Sequence, residues 1–338
     1  MKMRKGKLDN ECLERLVLGR SGMKRPEVIV GPGIGEDCAV IDFGEFECVL
    51  STDPITASPS RIGTLAVHVC CNDVASNGVE PLGIMLTILL PLSVTEEEIS
   101  EITRQADEAA KELGVQIIGG HTEVTDIVTM PIVSATAIGR AQKGFSVGGS
   151  SNKSDPAPGD LIVVTKELAI EGVAIAAELK ENELAALLTT EEIERAKQKI
   201  ENISVVKEGV IAGKIGASAM HDVTEGGILG AVWETCRQSN TGAEIIASSL
   251  PFDDTTMSIC ALLDLDPMRL ISSGSMLIYI QEEKWPVLSE QLMAAGISAS
   301  VIGSVKPQDC GVVMVMKNGE TEEVDPPGPD EIYKLRSI

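Results

Sequence analysis

Apolar positions along the chain follow two patterns, short continuous runs and longer runs with helical spacing. The stretches 83–90 and 161–165 are almost entirely apolar and predict buried strands. Between 99 and 113 apolar residues recur every three or four positions, and the preceding Thr95 and Glu98 form the signature of a capping box, so this run predicts an amphipathic helix. Strands and helices follow one another in both halves without a strict βαβ rhythm, which predicts an α+β fold class.

A stretch rich in glycine, serine and proline, residues 144–159, separates the two halves. A chain of 338 residues is longer than one ordinary core requires, so two domains are expected. The sequence therefore predicts an N-terminal domain over 1–155 and a C-terminal α+β domain over 156–338. Near the end, Asp325 is followed by Pro-Pro-Gly-Pro, which predicts an extended tail whose polar end docks or frays.

Composition and charge exclude several classes of partner. Hydrophobic residues make up 43% of the chain and aromatic residues only 2%, so aliphatic side chains must build the core. The formal net charge of -23 argues against nucleic acid and anionic membranes as partners, because both would repel such a surface. The eight cysteines form no C-x-x-C pair, the N-terminus has no apolar signal core, and the apolar run 82–92 is too short to cross a bilayer. We therefore expect a cytoplasmic protein.

The first candidate site is the glycine-rich segment 31–37. Three glycines within five residues disfavour a helix and predict a loop whose backbone amides can approach an anion. The loop ends in Glu36 and Asp37, directly before an apolar strand. Amides for phosphate and carboxylates for a hard cation are the two halves of a metal–nucleotide site.

Similar side chains recur further along the N-terminal half. Asp53 stands before Pro54 at a predicted strand end, and Asn72 and Asp73 lie in an apolar helix over 61–77. Taken singly, each aspartate in a chain with 51 acidic residues is more often a solvated or capping residue. Their recurrence in one domain favours a shared site for a cation such as Mg²⁺, which takes hard oxygen ligands.

A second glycine pair, Gly119-Gly120, follows the predicted strand 115–118 and predicts another loop that approaches a ligand closely. This loop would present His121, Thr122 and Glu123. In the C-terminal half, His221 also follows a predicted strand and precedes a turn with threonine. Functional and structural roles are equally open for both histidines, since either could serve as general acid or base near neutral pH.

Six segments, in this order along the chain, resemble the PurM-like superfamily (aminoimidazole ribonucleotide synthetase and its relatives), and most of all its HypE branch. They are Gly35-Glu36-Asp37-Cys38-Ala39-Val40, Thr52-Asp53, Asn72-Asp73-Val74-Ala75, Gly119-Gly120-His121-Thr122, Pro158-Gly159-Asp160 and Met220-His221-Asp222-Val223-Thr224-Glu225-Gly226-Gly227. The resemblance implies a two-domain fold in which the N-terminal domains of a homodimer pair into a β-barrel. It also implies ATP and Mg²⁺ in the cleft between the domains, and phosphoryl transfer to an oxygen of a small or carrier-bound acceptor, such as a carboxamide.

The resemblance further implies roles for individual residues. The implied metal ligands are Asp37, Asp53, Asp73 and, in place of a missing ligand, Glu123. The implied nucleotide-binding residues are Gly35, Glu36, Asp37, Asn72, Gly119, Gly120, His121 and Thr122. The implied catalytic residues on the acceptor side are His221, Asp222, Thr224 and Lys166.

Two departures from the family pattern keep alternatives open. Many relatives carry aspartate where this sequence has His121, and the chain ends in Arg336-Ser337-Ile338 without the terminal cysteine that carries the carbamoyl group in HypE proteins. One alternative is a small-molecule kinase of the thiamine-monophosphate kinase type, although Thr224-Glu225-Gly226-Gly227 fits the HypE-like pattern better. The other is a nucleotide sensor or scaffold that has lost turnover.

Overall fold

The computed structural model describes residues 6, 8, 10–56, 60–145 and 155–336. The helices are α1 Asn10–Leu13, α2 Ile62–Ser76, α3 Glu96–Leu113, α4 Ile170–Leu179, α5 Glu181–Leu184, α6 Thr190–Gln198, α7 Val206–Ile215, α8 Gly227–Ser239, α9 Asp254–Leu262 and α10 Trp285–Ala294. The strands are β1 Val28–Val30, β2 Ala39–Asp42, β3 Phe46–Ile55, β4 Pro81–Pro91, β5 Gln116–Thr125, β6 Ile132–Gln142, β7 Leu161–Thr165, β8 Ala219–Asp222, β9 Gly242–Ile246, β10 Met276–Ile280, β11 Ala299–Lys306, β12 Val312–Val315 and β13 Thr321–Glu323. Most of the predicted linker, residues 146–154, lies outside the described residues.

The first sheet contains six strands in the order β1-β2-β3-β6-β4-β5. Its pairs are antiparallel except for β4 and β5, which run parallel. Helices α2 and α3 pack on one face, where Val49, Ala135 and Ile84 form part of a buried aliphatic core. The sheet and its two helices form the two-layer α+β unit that the sequence predicts for the N-terminal half.

The second sheet contains seven strands in the order β13-β12-β9-β11-β7-β10-β8. It is antiparallel except for the parallel pair β9 and β12. All five residues of β10 are buried, because this strand lies between β7 and β8 and has core clusters on both faces. The two-domain α+β architecture is therefore confirmed, with one mixed sheet in each half.

Helix α2 belongs to the first half and packs against both halves. It is buried on nearly all sides rather than amphipathic: 14 of its 15 residues are buried, because it packs on the first sheet and also against α7 of the second half. Glycines on α7 allow this approach: a Cβ atom on Gly209 would overlap the carbonyl oxygen of Ala75, and one on Gly213 would overlap Gly78. Asn72 adds a polar link, since its amide donates to the carbonyl of Ile203 and accepts from the N–H of Val205, both at 2.9 Å.

The prediction that a strand ends at Asp53 was wrong. Strand β3 continues through Pro54 to Ile55. Pro54 is tolerated because β2 pairs with β3 only as far as Leu50, and beyond that residue β3 pairs with β6 on its other side.

The prediction of a loop at Gly119-Gly120 was also wrong. Both glycines lie inside β5, which pairs in parallel with β4 from Gln116 to Thr125. Gly120 has φ +150°, and a Cβ atom there would overlap the carbonyl oxygen of Leu86 on β4. The glycine is therefore needed for close approach between two strands rather than for a turn.

In a single chain the first sheet is open, with β1 and β5 at its edges. Its closure into a barrel with a second chain stays a prediction. Among the helices of the described residues, none has the length and hydropathy that crossing a bilayer requires.

Candidate metal and nucleotide site

Four aspartates from four elements gather where the two sheets approach each other through α2. Asp37 follows the glycine-rich loop, Asp53 lies on β3, Asp73 on α2 and Asp222 at the end of β8. Asp73 is fully enclosed, and burial raises its pKa well above the usual range, with further increases from the charges of Asp222, Asp53 and Asp37. Residues separated by up to 185 positions therefore share one electrostatic environment.

The loop that carries Asp37 rests on the second half of the molecule. Gly35 has φ +77°, a left-handed conformation that glycine adopts without strain. The next residue, Glu36, accepts a 2.6 Å hydrogen bond from the side-chain amide of Gln238 on α8. Burial raises the pKa of Glu36, and the hydrogen bond from Gln238 opposes that increase. These contacts fix where Asp37 enters the site.

Asp73 is held by neighbours that carry no charge. The hydroxyl of Ser51 on β3 donates to its carboxylate at 2.5 Å, and the thiol of Cys38 contacts its backbone carbonyl at 3.2 Å. Sequence reasoning missed Ser51, although its position two residues before Asp53 places both side chains on the same side of a strand. Burial raises the pKa of Cys38 well above the usual range, so this cysteine remains a thiol.

His221 lies beside the aspartates and is buried. Its Nδ1 lies 2.6 Å from the carbonyl oxygen of Asp222 and 3.7 Å from the Asp37 carboxylate, while its Nε2 lies 3.6 Å from the carboxylate of Glu234 on α8. Burial alone would lower the pKa of His221, but the carboxylates of Asp37 and Glu234 raise it to about 10. His221 is therefore a cation at neutral pH, with both ring nitrogens directed at oxygen atoms.

Glu234 was not predicted from the sequence. The available signal was a single carboxylate directly after the apolar run 228–233, on a helix that begins at a family-like glycine turn. A buried helix carries a charged residue when a partner faces it, and here that partner is His221.

The carboxylate oxygens of Asp37 and Asp222 and a ring nitrogen of His221 all lie within 4.8 Å of one another. The two carboxylates of this group suit a hard cation such as Mg²⁺, which prefers oxygen ligands to an imidazole nitrogen. A cation here would also relieve the repulsion that raises the pKa of Asp73. Asp222, which the sequence placed among catalytic residues, belongs to this carboxylate group by position.

Two further predicted residues make contacts of another kind. Asn72 is fully buried, and its side-chain amide is used in the contacts with Ile203 and Val205 that join the two halves. The ammonium group of Lys166 donates to the carbonyls of Asn202 and Ser204 and lies 2.9 Å from Glu208. In this structure both side chains stabilise the segment 202–208.

Residues of β5 lie apart from the aspartates within one chain. Asp53 pairs with Ala135, Ala135 with Leu86, and Leu86 with Gly120, so three strand spacings separate Asp53 from Gly120. At about 4.8 Å per spacing this is roughly 14 Å. His121 and Glu123 are exposed and lie 3.4 Å from each other. Within one chain Glu123 therefore lies apart from Asp53, and its role as a metal ligand stays a prediction.

The turn after β8 carries Thr224 and leads into α8. Gly226 and Gly227 have φ +90° and +62°, and the N–H of Gly227 donates to the carbonyl of Thr224 at 3.1 Å. A Cβ atom on Gly227 would lie 2.5 Å from the carbonyl oxygen of Met268. The two glycines are needed for this tight passage from strand to helix.

Comparison with known proteins agrees with this arrangement. Residues 35–141 match the family model of the AIR synthase related protein, N-terminal domain, and residues 157–316 match that of its C-terminal domain. The chain is 30% identical over 324 residues to the "Putative hydrogenase expression/formation protein" of Methanocaldococcus jannaschii, covering 91% of both chains. It is 26% identical to the carbamoyl dehydratase HypE of Rhizobium leguminosarum bv. viciae, covering 81% of this chain and 78% of the relative.

A solved structure of the hydrogenase maturation protein HypE in complex with ATP shares the fold. Its TM-score is 0.73 at 22% sequence identity, with 98% of this chain and 97% of the other covered. The predicted resemblance is confirmed: the chain belongs to the AIR synthase-related, PurM-like family, and within it is similar to HypE-type hydrogenase expression/formation proteins.

Proposed function

We propose that the protein is an ATP- and Mg²⁺-dependent enzyme that transfers a phosphoryl group to an oxygen of a small or carrier-bound acceptor. The observation that carries this proposal is the convergence of Asp37, Asp53, Asp73 and Asp222. Carboxylates at such close range repel one another, and the cost is offset when a divalent cation and a bound polyphosphate complete the site.

Asp37, Asp53, Asp73 and Asp222 are the residues proposed to hold Mg²⁺. When bound, Mg²⁺ supplies positive charge that neutralises phosphate oxygens and orients the leaving group. The backbone of the loop around Gly35 is proposed to bind phosphate beside Asp37, because N–H groups of a glycine-rich loop can form a concave anion site. The enzyme's contribution is then positioning and charge neutralisation.

On the acceptor side, the acceptor oxygen attacks the γ-phosphorus, a new P–O bond forms, and the bond to the ADP oxygen breaks. The imidazolium of His221 is proposed to stabilise negative charge beside Asp37, and Thr224 to face the acceptor. Lys166 remains a weaker candidate, because its ammonium group already contacts two carbonyls and Glu208. The HypE relatives are named carbamoyl dehydratases, which favours a carboxamide-type acceptor for this chain.

We also propose a homodimer formed through the uncovered face of the first sheet and its β5 edge. Leu82 and Met85 on β4 and Ile118 and Val124 on β5 are exposed by 44% to 63%, although they belong to regular strands. Large apolar side chains next to an open strand edge are typical of an interface. A barrel built from two such sheets would cover them. It would also place Gly119, Gly120, His121 and Thr122 at the interface, where we propose they bind nucleotide.

The test is the rate of ADP formation from MgATP in the presence of carbamoyl, ribotide and thiamine-monophosphate acceptors. We expect ADP formation that depends on Mg²⁺, is accelerated by a carbamoyl or carboxamide compound, and falls at least about a hundredfold in Asp37→Asn. If ADP formation is accelerated by thiamine monophosphate and by no other acceptor, the protein is a kinase of that type and the proposal is wrong. Tight MgATP binding without turnover on any acceptor would favour the sensor.

A further inference from the structure

The segment 325–335, named the C-terminal strap, lies across the start of α8. Ile332 and Leu335 are buried in a core cluster with α4 and α9, which anchors the strap. Pro327 packs on the first turn of α8, where a Cβ atom on Gly226 or Gly230 would come within 3.5 Å of its ring. The predicted tail therefore docks on the second domain, beside the turn that carries Thr224.

Asp330 connects the strap to this turn. It is 3% exposed, and its two carboxylate oxygens accept three backbone hydrogen bonds. Oδ2 accepts from the N–H of Gly226 at 2.7 Å, while Oδ1 accepts from the N–H of Ile271 at 3.2 Å and of Ile332 at 2.8 Å. A carboxylate at the N-terminus of the 13-residue helix α8 also interacts favourably with the helix dipole.

A second contact reaches the same turn from further along the strap. The hydroxyl of Tyr333 donates to a carboxylate oxygen of Glu225 at 2.8 Å. Gly226 and Gly227 have left-handed backbone conformations. Without contacts that fix it, a turn with two glycines would populate several backbone conformations. The strap therefore supplies the contacts that select one backbone conformation for residues 224–227.

We propose that Asp330 and Tyr333 are positioning residues that hold the Thr224–Gly227 turn in the geometry needed on the acceptor side of the site. The proposal rests on the proposed function, since the turn lies between the carboxylate of Asp222 and helix α8. The hydrogen bonds described above join these side chains to residues 225, 226, 271 and 332 rather than to the nucleotide loop at 31–37. Nucleotide binding and turnover are therefore expected to respond differently when the strap is loosened.

The first measurement is amide hydrogen exchange in the full chain. In Asp330→Asn the amide oxygen can keep the bonds from Ile271 and Ile332, but the amide nitrogen faces the N–H of Gly226, and two donors cannot pair. At pH 8 the wild-type carboxylate is ionised, because burial raises its pKa only to about 6. We expect the amide exchange rates of residues 226–230 to rise at least about tenfold. The exchange rates of Ile271 and Ile332 should change by less than about twofold. Tyr333→Phe, which keeps the ring, should give a smaller acceleration.

The matched control is Asp160→Asn, the same chemical change at a buried aspartate of the same domain. Asp160 accepts hydrogen bonds from the N–H of Ala157 and the hydroxyl of Ser218, and neither of these bonds involves the turn. It should leave exchange at 226–230 unchanged. Unaltered exchange at 226–230 in Asp330→Asn, or equal acceleration in both variants, would overturn the proposal.

The second measurement separates positioning from general damage. For Asp330→Asn we expect the MgATP dissociation constant to stay within about twofold of wild type while kcat for ADP formation falls at least about tenfold. A parallel loss of nucleotide affinity and kcat would contradict a positioning role. If wild-type protein binds no MgATP, the proposed function fails. The hydrogen-exchange experiment alone then shows whether Asp330 holds the turn in one conformation.

Discussion

The two ends of the first sheet carry similar motifs and have different surroundings. At one end, Asp53 on β3 lies near Asp37 and Asp73, where Asp73 is buried on α2 and Asp222 is buried at the end of β8. At the other, Gly120, His121 and Glu123 lie on β5, whose residues are exposed on both faces. Glycine next to a polar or acidic residue therefore does not define a site by itself. A site also requires that a second element cover these residues. Among the described residues of one chain, the β3 end is covered in this way and the β5 end is not.

The largest change in stability that tests this comparison is expected from glycine substitutions on β5. In Gly120→Ala the new Cβ would overlap the carbonyl oxygen of Leu86 at φ +150°, so β5 must separate from β4. We expect a loss of about 3 kcal/mol in the free energy of unfolding, measured by chemical denaturation.

The neighbouring Gly119→Ala is the matched control, because a Cβ atom on Gly119 would meet no atom within 4 Å beyond its chain neighbours, and the φ of Gly119 is not positive. Its free energy of unfolding should stay within about 0.5 kcal/mol of wild type. Equal losses in the two variants would show that β5 is not held by this close approach.

A smaller effect is expected at the proposed interface. Ile118→Lys places a charge on an apolar edge strand, a change that disfavours pairing with another strand. We expect the dimer dissociation constant, measured by analytical ultracentrifugation, to rise at least about tenfold. The control is Ile127→Lys, at a residue that is 86% exposed and lies outside the strands. A wild-type monomer at micromolar concentration, or equal weakening in both variants, would remove the β5 interface and with it the proposed role of His121.

The sequence predicts local features of this molecule well. The capping box at Thr95 is present with both of its hydrogen bonds, and the predicted strand 83–90, helix 99–113 and strand 161–165 lie in β4, α3 and β7. Asp37, Asp53 and Asp73 were predicted because each stands beside a glycine turn or in an apolar run. These signals depend on neighbouring residues only. The structure brings the three side chains near one another, and their role as metal ligands stays a prediction.

Features that depend on sheet order and register were missed. Nothing local to Gly119-Gly120 shows that β5 continues through it, since the reason is a contact with Leu86 on β4. Glu234 and Ser51 acquire their roles from His221 and Asp73, which are distant in the sequence. Asn72 was predicted to bind nucleotide, which stays a prediction, and the contact of its side-chain amide with the segment 203–205 of the other domain was not foreseen.

The central claim is that aspartates distant in the sequence hold a cation that binds a polyphosphate. Its most direct test is the Mg²⁺-dependent rise in melting temperature on adding a non-hydrolysable ATP analogue, in wild type, Asp53→Asn and the control Asp42→Asn, whose side chain pairs with Lys143. The account predicts a rise of roughly 5–10 °C at saturating nucleotide in wild type and Asp42→Asn, only with Mg²⁺, and little change in Asp53→Asn. A rise that needs no Mg²⁺, or one that Asp53→Asn retains in full, would contradict it.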